Sequence, residues 1–189
     1  MQAGGGGAAG AERAAEQLVQ NGAKGLLSFG LAGGLDPGLV PGDLLNPAMV
    51  VLDGKIWFTD PVLMARLGPT TPGALYGGGK VLATAAAKAT LFHCTGAVAI
   101  DLESAAVARV AQQHGLPFAV LRAVCDAAGR DLPHAALVAL DSAGRIGLLR
   151  IGGAVLARPW EVPNLIRLAN DAARARRALM ARVAAIGPL

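Results

Sequence analysis

The chain has 189 residues, 53% of them hydrophobic and only 16% charged, with a formal net charge of +4. This fits one domain, residues 1–189, with a core of its own, and no run of about 18 uncharged apolar residues suggests a membrane span. The opening MQAGGGGAAG has neither the basic nor the apolar part of a secretory leader. Two cysteines, Cys94 and Cys125, make no disulfide framework, and together these features fit a cytoplasmic protein. Six of the 17 Lys and Arg residues fall between Arg158 and Arg182. They read as the solvated side of an amphipathic helix rather than as a nucleic-acid or anionic-membrane face.

Residues 11–20 have helix-forming composition, and Asn21-Gly22 is a stop signal. KGLLSF, 24–29, reads as a buried strand that delivers a glycine-rich loop, 30–37. Residues 49–52 and 56–59 are β-formers around Asp53-Gly54, a hairpin signal. The Gly-, Pro- and Thr-rich stretch 68–79 reads as loop, 81–83 as a short strand, and Thr84 as the cap of a helix over 85–93. A strand over 97–100, a helix over 102–114 ended by Gly115, and a strand over 117–124 follow, then a polar loop, 126–133. A turn is expected within 141–145. The last element is a helix over about 162–186, with an apolar stripe of Leu165, Leu168, Ala172, Leu179, Val183 and Ile186. Short apolar strands alternating with helices predict an α/β layered domain. Its central sheet is largely parallel, with mixed character from the hairpin, and helices flank it.

In such a sheet, ligands bind beyond the carboxyl ends of the strands. Strand 97–100 runs into Asp101, and Glu103 opens the helix that follows; strand 117–124 runs into Asp126. If the two strands pair, the two acids share a rim about 5–10 Å apart. The loop Gly30, Leu31, Ala32, Gly33, Gly34 reaches the same rim. Its spacing is not that of a dinucleotide loop. Its exposed N–H groups suit a sugar or an anion, and an ordinary tight turn would look the same.

An ionised carboxylate accepts one hydrogen bond from each hydroxyl of a vicinal diol. Glu103, at a helix N-terminus, is favoured as the anion and is assigned the diol. Asp126 follows an apolar strand tip, where desolvation favours the protonated carboxyl, and it is assigned the acid. The plainer alternatives are a first-turn helix residue for Glu103 and a loop cap for Asp126. His93 and His114 read as structural or solvated residues at helix ends, while His134 could line a pocket. No metal-ligand spacing and no nucleophile motif is present, and no cofactor is expected.

Three motifs together resemble the purine nucleoside phosphorylase and methylthioadenosine/adenosylhomocysteine nucleosidase superfamily: SFGLAGGLDPGLVPGDLL (28–45), AIDLESAAVARVA (99–111) and LRAVCDAAGRDLP (121–133). The tail GRIGLLRIGGAVLARPWEVPNLIRLANDA (144–172) is similar to the hopanoid-associated branch encoded with squalene-hopene cyclase. The resemblance implies a layered phosphorylase/nucleosidase-like fold and cleavage of a purine N-glycosidic bond. Glu103 would hold the ribose 2′- and 3′-hydroxyls and Asp126 would protonate purine N7. Leu102 stands where a methionine packs under the ribose, and Cys125 stands where many relatives have a serine that supports the acid. Gly30, Leu31, Ala32 and Gly33 would line the substrate site. Phosphate is a possible co-substrate, water the other nucleophile. The small-molecule partner would be a nucleoside, in the hopanoid branch an adenosyl-hopane type lipid nucleoside, with no role for nucleic acid.

Two departures from the family pattern stand out. Relatives open with a strand and loop that serve the nucleophile, whereas Met1–Gly10 resembles only the end of the second strand. An N-terminal strand is therefore expected to be missing, leaving a sheet edge that favours a homo-oligomer. Ser28-Phe29-Gly30-Leu31 also lacks the arginine and serine that help hold phosphate in some bacterial phosphorylases. The rival reading is a truncated relative that binds a nucleoside or a partner subunit without turnover.

Overall fold

A computed structural model describes residues 7–139 and 158–187 of the protein; the turn expected within 141–145 lies outside them. Helix α1 (Ala8–Gln20) ends at Asn21 and Gly22, the latter at φ 85°. Its buried Ala11 and Ala15 pack against α4 (Ser104–Gln113). Strand β1 (Leu26–Gly34) is longer than its apolar stretch predicts: the glycine-rich segment is strand, not loop. A short β2 (Leu44–Leu45) precedes the expected hairpin, β3 (Met49–Leu52) and β4 (Lys55–Phe58). Asp53 and Gly54 both have positive φ, 48° and 77°, as a two-residue hairpin turn of this hand requires. Helix α2 (Pro61–Leu67) was not expected, although its signals are present: the Asp60 carboxylate accepts from the N–H groups of Val62 and Leu63, and proline occupies the first turn.

Strand β5 (Ala74–Gly77) lies inside the stretch predicted to be loop, and residues 81–83 form no strand. The cause is packing. A Cβ on Gly77 would come within 2.4 Å of Val50 Cγ1 and 2.7 Å of the Ala105 backbone nitrogen, so glycine lets β3 and α4 close over this strand. Helix α3 (Ala85–Thr95) is capped by Thr84 as expected, its Oγ1 accepting from Ala87 N at 3.2 Å, and it ends at Gly96. Strands β6 (Ala97–Asp101) and β7 (Phe118–Asp126) flank α4 in sequence, and α5 (His134–Ala139) follows. A 3₁₀ turn, Pro159–Glu161, leads into α6 (Val162–Ile186), as the periodicity predicted. The buried line of α6 is Asp171, Ala175 and Leu179, whereas Val183 faces outward.

The seven strands form one sheet in the order β2–β7–β1–β6–β5–β3–β4. Pairs β1/β7, β5/β6 and β3/β5 are parallel; β1/β6, β2/β7 and β3/β4 are antiparallel. The layered α/β class holds, with a sheet more mixed than the alternation of elements suggested. Strand β7 is buried on both faces, which accounts for its nearly unbroken apolar run. Val120 and Val124 join the core beneath α1 and α4, and Leu121 and Ala123 join the one against α6. No helix among the described residues is long and apolar enough to cross a membrane.

Candidate active site

Side chains alternate along a strand, so Phe118, Val120, Arg122 and Val124 share one face of β7, whereas a bulge before Asp126 takes that residue out of the alternation. Arg122 and Asp126 are four residues apart in the strand, about 13 Å along its axis. On the neighbouring β1, Ser28 lies directly across from Val120, Gly30 from Arg122 and Gly33 from Asp126, with a register shift between Ala32 and Gly33. Gly33 also pairs with Ile100 of β6. Strand β1 therefore runs between the two acid-bearing strands, and the expected direct pairing of β6 with β7 does not occur. The glycines of β1 also let side chains of its neighbours come close. A Cβ on Gly33 would lie 3.2 Å from Asp126 Oδ1, and one on Gly30 would lie 2.4 Å from Arg122 Nη1. With β1 interposed, β6 and β7 are two strand spacings apart, about 9–10 Å.

The guanidinium of Arg122 is buried and organises the first half of the site. Its Nη2 donates to Ser28 Oγ at 2.6 Å and lies 2.5 Å from Asp101 Oδ2 and 3.3 Å from Ser104 Oγ. Asp101 also accepts from Ser104 N at 3.1 Å and Glu103 N at 3.3 Å. So Asp101, not Glu103, caps α4 through its side chain. Glu103 occupies the N-cap position without a side-chain cap bond. Its side chain, 25% exposed, touches this cluster through a 3.5 Å contact between Oε2 and Arg122 Nη2. Leu102 beside it is half-buried.

Asp126 is the last residue of β7 rather than a loop residue, and it does not meet the purely apolar surroundings expected at a strand tip. The buried ammonium of Lys88, from α3, is paired with its Oδ2. Cys125 Sγ donates to its Oδ1 at 3.3 Å, so the thiol does make the supporting contact that the resemblance gives to this position. Burial first, and then the Asp126 carboxylate, push the Cys125 thiol well up from its ordinary value, which keeps it a neutral donor.

Of the glycine segment, Gly30 and Gly33 serve close approach to Arg122 and Asp126. Ala32 is buried and Leu31 is 36% exposed; Leu31 O accepts from Arg122 Nη1 at 3.4 Å. The histidines stay outside this cluster: His93 and His134 are exposed, and His114 Nε2 contacts Glu16 Oε2 at 3.0 Å. No group of three or more metal-ligating side chains occurs among the described residues. Lys88, Arg122, Asp101, Ser28 and Ser104 escaped the sequence reading. The available signal was an arginine in the middle of an otherwise apolar strand, two positions from Val120 and Val124 on the same face.

The sequence model of the phosphorylase superfamily matches residues 62–146, which include Lys88, both candidate acids and Arg122. No curated protein matches the chain. Among solved structures, the chain is similar to the Campylobacter jejuni 5′-methylthioadenosine/S-adenosylhomocysteine nucleosidase. Identity is 25% over 67% of this chain and 66% of that one, with a TM-score of 0.61. The Neisseria meningitidis nucleosidase, solved with methylthio-immucillin-A, is 22% identical over 67% of each chain, TM-score 0.60. The Helicobacter pylori nucleosidase, complexed with a substituted pyrrolidin-3-ol, is 19% identical over 94% of this chain and 75% of that one, TM-score 0.64. The fold is therefore that of the phosphorylase and nucleosidase class. The match to the C. jejuni enzyme spans just under two thirds of that enzyme's length.

Proposed function

We propose that the protein cleaves the N-glycosidic bond of a purine nucleoside. Glu103 accepts hydrogen bonds from the ribose 2′- and 3′-hydroxyls, and Asp126 carries the proton to N7 of the departing base. The observation that carries this reading is the uneven neutralisation of the acids. Asp101 is paired with Arg122 and Asp126 with Lys88 through buried contacts, and Asp171 with Arg130 through a partly buried one. Glu103 has only the long contact to an arginine already held by Asp101 and Ser28, and it retains exposed surface. A carboxylate left over in this way is available to a diol.

The finer reading takes an adenosyl-hopane type lipid nucleoside as substrate, with release of adenine. It rests on the resemblance of residues 144–172 alone. The nucleophile is phosphate or water, with no cofactor. The test is adenine release from methylthioadenosine and from a lipid adenosyl nucleoside, each with and without phosphate. Release that depends on phosphate identifies a phosphorylase, and release without it a hydrolase. No release from either substrate refutes the reading in favour of binding without turnover. Self-association is part of the proposal, supported by the exposed Ile56, Phe58 and Val62 around the edge strand β4. Light scattering showing only a 19.0 kDa particle would refute that part.

A further inference from the structure

Lys88 is the buried residue of α3, with 1% of its surface exposed. A buried ammonium is costly unless its donors are satisfied. All three donors of Lys88 find acceptors: Asp126 Oδ2, Ala127 O at 2.9 Å and Arg130 O at 3.1 Å. Every one of these acceptors belongs to Asp126 or to the loop it opens. That loop is fastened once more to α3, by Ala85 N donating to Asp131 Oδ1 at 2.7 Å, and once to the segment just before it, by Leu132 N donating to Ala83 O at 2.7 Å. The Arg130 side chain is tied to Asp171 of α6. If packing alone were served, a methionine would fill the volume of Lys88 without the desolvation cost. The lysine is retained where its charge falls on one carboxylate oxygen.

We propose that Lys88 is the positioning residue of the acid. It holds Oδ2 of Asp126, so that Oδ1, which faces Gly33, carries the proton; and its charge stabilises the carboxylate left behind. In the step itself the C1′–N9 bond breaks with its electron pair passing to the base, the Oδ1 proton passes to N7, phosphate or water forms the new bond to the oxocarbenium carbon C1′, and Asp126 remains as an anion paired with an ammonium that keeps all three of its protons. This inference rests on the N-glycosidase reading, and it adds a residue that acts only where the leaving base needs a proton.

The test compares methylthioadenosine with 4-nitrophenyl β-D-ribofuranoside, whose leaving group departs without protonation. A positioned general acid contributes about 10²–10⁴-fold. Lys88→Met should therefore lower kcat on the purine nucleoside about 10- to 100-fold, a part of that contribution. On the nitrophenyl riboside it should lower kcat less than about threefold, with KM little changed on either. The double variant Lys88→Met, Asp126→Asn should be no slower on the purine than Asp126→Asn alone. If the methionine variant does not fold, Lys88→Gln, which keeps a donor for Asp126, should show the same selectivity at smaller size. Equal losses on both substrates, or no loss on either, overturn the role given to Lys88 while leaving the glycosidase reading intact. A wild-type protein that releases neither leaving group overturns both.

Discussion

Asp101 and Glu103 are two residues apart, yet they should respond in opposite ways to loss of charge. Asp101→Asn keeps the shape of the side chain and an oxygen able to cap α4, so it isolates the ion pair. The side chains of Asp101 and Arg122 are 1% and 3% exposed. Breaking a buried pair by neutralising one partner costs about 3–5 kcal/mol, because the remaining charge is stranded. Glu103 Oε2 already lies 3.5 Å from Arg122 Nη2 and can take over part of the role, so about 3 kcal/mol is the better figure. For a domain of this size each kcal/mol lowers Tm by about 2–4 °C, giving a drop of about 6–12 °C. Glu103→Gln removes a long contact from a partly exposed side chain, worth about 0–1 kcal/mol, and should move Tm by less than about 4 °C. Its cost falls on turnover: a lost hydrogen bond to a charged group, about 2–3 kcal/mol, lowers kcat/KM about 30- to 150-fold. Calorimetry at pH 7 and base-release kinetics on both variants give the four values. If Asp101→Asn melts within 2 °C of wild type, or Glu103→Gln is as unstable as Asp101→Asn, the division between a structural and a working acid is wrong.

Asp126→Asn should abolish most release of purine, since the amide cannot deliver the proton; near wild-type kcat on methylthioadenosine would contradict the acid assignment. Gly30→Ala should lose about 1–3 kcal/mol by overpacking, because its Cβ would lie 2.4 Å from an Arg122 side chain that is buried and held by Asp101 and Ser28, whereas Gly129→Ala, with nothing within 4 Å, should be silent in the same thermal melts. Alkylation by iodoacetamide at pH 8, read by peptide mass spectrometry, should mark the exposed Cys94 and spare Cys125. The raised value at Cys125 leaves almost no thiolate at that pH, so modification of Cys125 at a comparable rate would contradict its burial.

Periodicity served well where one stripe decides an element. Helix α6 has the limits its repeat predicts, and the Asp53-Gly54 turn sits where positive φ is needed twice. Composition misled where packing, not propensity, selects the residue. The glycines of β1 and β5 look like loop, but they are strand positions against which Arg122, Asp126, Val50 and Ala105 close. The two acids were visible because Asp126 ends an apolar strand and Glu103 opens the helix that follows another. Their cations were not, for different reasons. Arg122 was in view as a charged residue in the middle of an apolar strand. Lys88 had no such signal: on a helix a lone lysine normally reaches water, and this one is buried because a loop 38 residues later folds over it.

The cations also decide what the two halves of the site can do. Around the proposed sugar position, Arg122 is outnumbered by Asp101 and Glu103, leaving one net negative charge next to the place where an oxocarbenium would form. Around the proposed base position, Lys88 balances Asp126, so a protonated Asp126 leaves that end net positive where the departing base gains electrons. Glycosidic cleavage separates charge along that same direction, and fixed charges opposite in sign to those that develop lower its barrier without having to reorganise. Reversing the sign at one end should therefore harm more than deleting it. Glu103→Lys places a second cation beside Arg122 at the sugar, and it should cost more kcat than Glu103→Gln with substrate binding measured separately. Equal losses would mean that Glu103 works through its hydrogen bonds to the diol and not through its charge.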